Sequence, residues 1–432
     1  MSLDPFPIEV PELPRLVSEV PGPASKAIHA KEVAIRAAGG SAASVWSELS
    51  IVDGRGCIVR DADGNFLLDA CSGTVVMNIG HGQPLFKQQL ISQVEKLTHF
   101  YDFAAEIRVE FLTALRATLD PRFEVFHISN SGAEAVEAAL RIVRSATSRH
   151  EIISFQDGYH GRTFGALSLT SGAPREGMGP LLPGIFQAPK SIDGLDFIAR
   201  QCLSGPPAAV FIEPMQGAGG MFPMSGQFLH QVREFCNSTG ALLVFDEILV
   251  GAGRTGKMWC YEHSGVVPDL IIMGKGLAGG FPIGIVGGPA AIMNAGPIAS
   301  LTHNGSTFGG NQLACAAGLA ALTILREQDL VDNAADVGKH LMEKISQAIG
   351  HHPNVKDVRG LGLAIGVELI ERGTEWVPLS AKQIKCFYLS ILSQGVIVSS
   401  TSNVVRITPP LSLTLTQADF IVTALSRALE AL

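Results

Sequence analysis

The sequence predicts an α/β protein built on a mostly parallel sheet, with a smaller α+β domain formed by the N- and C-terminal segments. Three observations carry that prediction. Between about residues 105 and 320, short apolar runs end in polar or glycine-rich loops, and helix-length segments lie between several of them. Such alternation covers both faces of a parallel sheet with helices and leaves its strands buried on both sides. The segments on either side show a different pattern, and 432 residues exceed what one hydrophobic core usually serves. The expected division is an N-terminal arm with part of the small domain over 1–60, a large domain over 61–320 and a C-terminal small domain over 321–432.

Taken in chain order, Pro5, Pro7, Pro11, Pro14, Pro21 and Pro23 mark an extended arm that leads into a short helix before Arg36. Over residues 51–69, two strand-like runs flank Asp63-Gly64-Asn65, a turn signal, and predict a hairpin. The core strands are expected at 125–129 (VFHIS), 151–155 (EIISF), 209–212 (AVFI), 242–245 (LLVF) and 270–273 (LIIM), with a helix over 133–144. A helical region near 312–350 precedes strand-like runs at 361–369, 394–399 and 404–408. The last helix is expected over Leu415–Leu432, opened by a capping box of Thr416 and Asp419, with Ile421, Leu425, Ala428 and Leu432 on one face.

Composition narrows the functional classes. A hydrophobic share of 47% against 17% charged residues indicates a well-buried globular chain rather than a disordered one. A net charge of −8, with no Lys/Arg cluster, argues against a nucleic-acid partner. The seven cysteines stand singly at 57, 71, 202, 236, 260, 315 and 386, as expected of reduced thiols in a cytoplasmic protein. No metal is expected. The opening residues lack a basic stretch followed by an apolar run, so no signal peptide is expected, and no apolar run reaches the ~18 residues of a membrane helix.

The chemistry gathers at the strand ends, where ligands bind in open α/β sheets. LLVF runs into Asp246-Glu247, and LIIM into Gly274-Lys275-Gly276. An acid and a lysine at one sheet edge suit pyridoxal 5′-phosphate (PLP): the amine condenses with its aldehyde, and the carboxylate keeps its ring nitrogen protonated. Ser131-Gly132-Ala133, between a strand and a helix, offers N–H groups and a positive dipole end to a phosphate. A second glycine-rich loop, His303–Asn311, can supply another hydroxyl. The aromatic of Tyr159-His160-Gly161 can stack on a flat ring. Taken singly, each of these has an ordinary structural reading as well: a solvated strand end, a helix cap, a flexible loop, a core tyrosine beside a hydrogen-bonded histidine.

Together, the segments SNSGAEAVEAAL, DEILVGAGRTG and PDLIIMGKGLAGG resemble the class III (omega-) aminotransferases, and the likeness runs from about Pro21 to the C-terminus. The resemblance implies the aspartate aminotransferase-like fold (fold type I), with a mostly parallel sheet of the seven-stranded type. It implies that Lys275 carries PLP and shuttles the proton, that Asp246 pairs with the pyridine nitrogen, and that Ile248 and Tyr159 cover the two ring faces. Ser131, Gly132 and Ala133 would receive the phosphate, and His160 and Glu213 would stand near the cofactor. Thr307 would reach the phosphate of a neighbouring subunit, which makes a homodimer obligatory and leaves a tetramer open. Arg406, before Thr408-Pro409-Pro410-Leu411, resembles the arginine that receives a substrate carboxylate, a task that suits a planar guanidinium.

Three departures bear on the substrate. Leu249 stands where many members have a glutamine, and Ala218 stands where members acting on 4-aminobutyrate or ornithine carry a glutamate. The loop Gly80-His81-Gly82-Gln83-Pro84 also differs from the family pattern and reads as structural. Thr74, after Ser72-Gly73, is smaller than its counterparts in relatives and implies room for a bulky donor, with Phe100, Tyr101 and Phe103 as further lining. The implied reaction is ping-pong transfer of an amino group from a primary amine, ω-amino acid or amino acid to a 2-oxo acid such as pyruvate or 2-oxoglutarate. A decarboxylase of dialkyl amino acids, an amino-acid racemase and a silent PLP-binding protein use the same residues and remain the alternatives.

Overall fold

The computed structural model describes residues 9–300, 303–374, 376–430 and 432; Pro5 and Pro7 of the expected arm lie outside the described residues. All five apolar runs become strands of one sheet. In chain order its strands are β1 (Val125–Ser129), β2 (Ile152–Phe155), β3 (Ile185–Ala188), β4 (Ala209–Ile212), β5 (Leu242–Asp246), β6 (Leu270–Gly274) and β7 (Gly284–Gly288). The spatial order of these seven is β1-β7-β6-β5-β4-β2-β3. The pairings among β3, β2, β4, β5 and β6 are parallel, and β7 runs antiparallel to both β6 and β1. The expectation of a mostly parallel α/β sheet is met.

The sequence reading missed β3 and β7. The first is a half-buried edge run (IFQA), and the second, GIVGG, is rich in a residue depleted from strands. Its glycines answer to packing. A Cβ on Gly284 would lie 2.0 Å from the Ser131 carbonyl oxygen, and one on Gly288 would lie 2.4 Å from Leu270 Cδ2. The strand therefore carries little β-propensity because its neighbours leave no room for side chains.

The chain divides into two compact units. One comprises Gln88–Ala252 and Lys257–Thr323; the other comprises Met1–Lys87 (described from Glu9), Gly253–Gly256 and Ile324–Leu432. In the first, the helix Gly132–Thr147 lays Ala135, Val136, Ala139, Leu140 and Val143, all buried, on the large sheet. Its partners include Ile152, Phe211, Val244, Ile272 and Val286, and each such large aliphatic or aromatic side chain contributes about 1.5–3 kcal/mol by leaving water.

The second unit holds two four-stranded sheets. The expected hairpin forms between Ile58–Asp61 and Phe66–Asp69, with Ile51–Arg55 added as a third strand. Asp61 Oδ1 accepts from the backbone N–H of Asp63 (3.0 Å) and Asn65 (2.8 Å), which closes the turn. In the other sheet, Val355–Leu361 and Ala364–Leu369 pair as a hairpin, and Val404–Ile407 joins Ala364–Leu369. His81 Nε2 lies 2.8 Å from Asp69 Oδ2.

Two details of the last helix are corrected. It spans Leu415–Leu429, and the capping box is Thr414 with Gln417 rather than Thr416 with Asp419. Thr414 is extended (φ −88°, ψ 163°), so its hydroxyl accepts from the Gln417 N–H; Thr416 is already inside the helix. Ile421, Leu425 and Ala428 are buried as expected, but Leu432 lies past the helix and is exposed.

One turn in this unit is unusual. Ser72, Gly73, Thr74 and Val75 have φ of 44°, 57°, 76° and 62°, four successive left-handed residues of which only one is glycine. At about 1–2 kcal/mol for each of the three non-glycine residues, the turn persists only because its surroundings hold it.

Candidate active site

Strands β5 and β6 are parallel neighbours with Asp246 opposite Ile272, so the chain places Asp246 and, three residues beyond Ile272, Lys275 at the same carboxyl edge. Lys275 opens a short 3₁₀ turn, partly buried, at φ 45°. A left-handed lysine is uncommon and marks a position set by its surroundings. Both residues line a cavity of about 290 Å³ together with Gly132, Ala133, Tyr159, His160, Glu213 and Ile248. Eight residues singled out from the sequence thus meet in one place.

Each wall has a local cause. Ser131 caps the helix Gly132–Thr147, its Oγ accepting from the Glu134 N–H at 3.2 Å. That leaves the N–H groups of Gly132 and Ala133, at the first helical positions, without intrahelical acceptors and beside the cavity. Gly132 is small for a reason: a Cβ there would lie 2.8 Å from Ile248 Cδ1.

Asp246 is buried and held at both oxygens. Oδ2 meets His160 Nδ1 at 2.7 Å, and Oδ1 accepts from the Ile248 N–H at 3.0 Å. Burial works against a charged His160, but the hydrogen bond and charge of Asp246 outweigh it and raise the imidazole above its usual value. The histidine with an ordinary reading as a hydrogen-bonded core residue is therefore the Asp246 partner. Glu213 accepts from the backbone N–H of Tyr159 (2.8 Å) and Gly217 (3.0 Å), so it anchors the loop that carries the aromatic. Burial pushes its carboxyl up to about 7, with nearby His160 opposing and Asp246 adding to the shift.

The remaining expected residues lie elsewhere. Thr307 is in the exposed loop beside Phe308, outside the cavity lining. Phe100, Tyr101 and Phe103 are exposed and likewise not among the lining residues. Thr74 and Arg406 belong to the other unit: Thr74 is exposed on the left-handed turn, and Arg406 is in the strand Val404–Ile407 with its Nε buried and unpartnered. Gly161 lines the cavity as well, and so does Arg162, which was not singled out although it directly follows Tyr159-His160-Gly161. Arg162 is exposed and is one of the lining residues. Ala218 and Leu249, the two departures, line it as well.

This donor set fits PLP. A phosphate would meet the Gly132 and Ala133 N–H groups, a ring nitrogen the Asp246 carboxylate and an aldehyde the Lys275 amine, and the volume is near the lower end of small-ligand cavities, about 300 Å³. No three or more His, Cys, Asp or Glu side chains among the described residues cluster as metal ligands.

Comparison with known proteins gives the family. The family described as aminotransferase class-III matches residues 41–429. The acetylornithine aminotransferase of Methanosarcina acetivorans is 37% identical over 383 residues, 88% of this chain and 91% of its own. The 4-aminobutyrate aminotransferase of Mycobacterium leprae is 32% identical over 431 residues, covering 92% of this chain and 94% of its own. The solved structure of an amine transaminase from an uncultivated Pseudomonas species, in its PLP-bound form, has a TM-score of 0.86 at 29% identity, covering 92% of this chain and 98% of that one.

Proposed function

The chain belongs to the class III aminotransferases, PLP-dependent enzymes that use amine donors and 2-oxo acid acceptors, and on that premise we propose its site roles and substrates. The observation that carries the proposal is the convergence of Asp246, Lys275 and the Gly132–Ala133 helix start on one cavity. When bound, PLP supplies an aldehyde for amines and a ring that accepts the electron pair released at the donor carbon.

Lys275 Nζ would be the amine that holds PLP, and it would be the base for the proton on the donor carbon. Asp246 would keep a proton on the ring nitrogen, and His160 fixes the orientation of that carboxylate through the 2.7 Å contact. Gly132 and Ala133 would receive the phosphate at the helix end whose dipole favours it. Ile248 and Tyr159 would cover the ring faces, and Glu213 keeps Tyr159 in place by accepting from the Tyr159 backbone N–H.

For substrate, we propose a primary amine or ω-amino acid donor and a 2-oxo acid acceptor such as pyruvate or 2-oxoglutarate. Arg162 supports a carboxylate-bearing partner, since it lines the cavity, a guanidinium suits a carboxylate, and Ala218 brings no acid there. Arg406 is proposed as a second carboxylate receiver, and its buried, unpartnered Nε supports a polar task. Thr74 is proposed as a donor contact, its small side chain leaving space for bulk. A donor panel tests the reading: without acceptor, an accepted donor should bleach the visible band of the PLP-loaded enzyme, and a 2-oxo acid should restore it. Bleaching by no amine or ω-amino acid would contradict it.

We also propose a cytoplasmic homodimer in which Thr307 serves the partner's phosphate. Seven cysteines, none of them in a disulfide, support a reducing compartment. No helix among the described residues is long and apolar enough to cross a membrane. Co-expressed Lys275→Ala and Thr307→Ala chains should regain one intact site per mixed dimer. Activity no higher than that of Thr307→Ala alone would count against it.

A further inference from the structure

Residues Gly253–Gly256 come from the middle of the chain but pack within the unit built from its ends. Glycines admit them: a Cβ on Gly253 would lie 2.9 Å from Leu411 Cδ1, and one on Gly256 would lie 2.8 Å from Ala335 Cα. At the centre is Arg254, wholly buried. Its guanidinium donates to the carbonyls of Leu363 (3.0 Å) and Pro409, to Asn78 Oδ1 (2.8 Å) and to Ser72 Oγ (3.2 Å).

All four acceptors are neutral. Burial lowers the pKa of Arg254 to about 9, with Asp69 and Cys57 only partly opposing the shift. A desolvated cation without a hydrogen-bonded carboxylate is a poor device for stability, so its use here points to what it positions. Three of its acceptors, Ser72, Asn78 and Pro409, bracket the left-handed turn and the segment that follows Arg406. Ser72 Oγ passes the clamp on by donating to the Thr408 carbonyl at 2.7 Å, and the Leu411 N–H donates to the Asn78 carbonyl at 2.9 Å.

We propose that Arg254 is a positioning residue for donor selection: by clamping Ser72, Asn78 and Pro409 it holds Ser72–Val75 left-handed and so fixes where Thr74 is presented. The proposal rests on the reading of Thr74 as a donor contact. Without the clamp, the turn can relax into conformations its non-glycine residues prefer, and Thr74 moves. A fork of donors is needed, because one ammonium cannot serve four separated oxygens.

The test uses the PLP-loaded enzyme. In Arg254→Lys, hydrogen exchange should rise at the amides of Thr74 and Val75, bonded to the Cys71 carbonyl, and of Val76 and Met77, bonded to that of Ser72. The preference between 1-phenylethylamine and propan-2-amine, with pyruvate as acceptor, should change mainly through KM, by up to about 100-fold for a displacement near 1 Å. Adding Thr74→Gly should return the protection, because glycine takes a positive φ freely. Ser72→Ala, which removes one link and keeps the guanidinium, should give the same pattern at smaller size if Arg254→Lys folds poorly.

Unchanged exchange at residues 74–77 in both variants overturns the proposal. So does raised exchange with unchanged donor preference while Thr74→Trp shifts that preference in the same assay. If Thr74→Trp is silent too, the Thr74 reading has failed and takes the proposal with it.

Discussion

His160 Nδ1 lies 2.7 Å from Asp246 Oδ2, with both side chains buried at the end of β5. A residue from the loop after β2 thus orients the acid that ends a different strand, and the pair is coupled to the stability of the fold. The folded His160 has a raised pKa, so its contribution is complete below the unfolded value of about 6.5 and is lost as pH rises through the higher folded value. The melting temperature of the PLP-free protein should carry a component that falls over that window. His160→Gln should flatten it, and His160→Ala, which leaves a buried carboxylate oxygen unpaired, should destabilise the protein by about 3–5 kcal/mol. Thermal melts across pH decide this; an unchanged pH profile in His160→Gln would show that the pair does not titrate as described.

Gly132→Ala should weaken PLP binding more than it weakens the fold. The added Cβ would stand 2.8 Å from Ile248 Cδ1 and 3.1 Å from its Cγ2, so the residue proposed to cover the ring must shift. Overpacking of this kind costs about 1–3 kcal/mol. Ile248→Val removes the nearest atom and should recover part of the affinity in the double variant, as read by fluorescence titration with PLP. Equal losses in the single and double variants would place the clash elsewhere.

Arg162→Ala separates carboxylate-bearing substrates from plain amines. Loss of a charged hydrogen bond worth about 1.5–3 kcal/mol should raise the KM for 2-oxo acids and ω-amino acids by roughly 10- to 150-fold. The half-reaction with an amine that carries no carboxylate, such as 1-phenylethylamine, should be nearly untouched. Steady-state kinetics on both substrate types give the answer, and equal effects on both would remove Arg162 from carboxylate recognition.

Much of this was legible in the sequence, for physical reasons that differ by residue. Asp246 and Lys275 could be found because buried apolar strands stop abruptly at them, and a parallel sheet gathers such ends on one edge. Ser131–Ala133 could be found because a strand, a small polar residue and an amphipathic helix follow one another. β7 could not, because its glycines, needed where Gly284 passes the Ser131 carbonyl, erase the β signal. The Thr414 cap was misplaced by two residues because Thr416 and Asp419 offer a similar spacing within the helix, and only backbone dihedrals separate them. Arg162 carried no local pattern beyond its place after Tyr159-His160-Gly161. Arg254 sat inside a recognised motif, but its four acceptors, spread over 72–78, 363 and 409, become neighbours only in the fold.

On the proposed roles, Lys275 is the residue that holds PLP. Reductive trapping of the PLP-loaded enzyme with sodium borohydride, followed by peptide mapping, tests it most directly. The pyridoxyl mass should fall on the peptide containing Gly274-Lys275-Gly276 and vanish in Lys275→Ala, which should still bind PLP reversibly while turnover drops by roughly 10²–10⁴-fold. Label on another lysine, or full turnover in Lys275→Ala, would contradict the account.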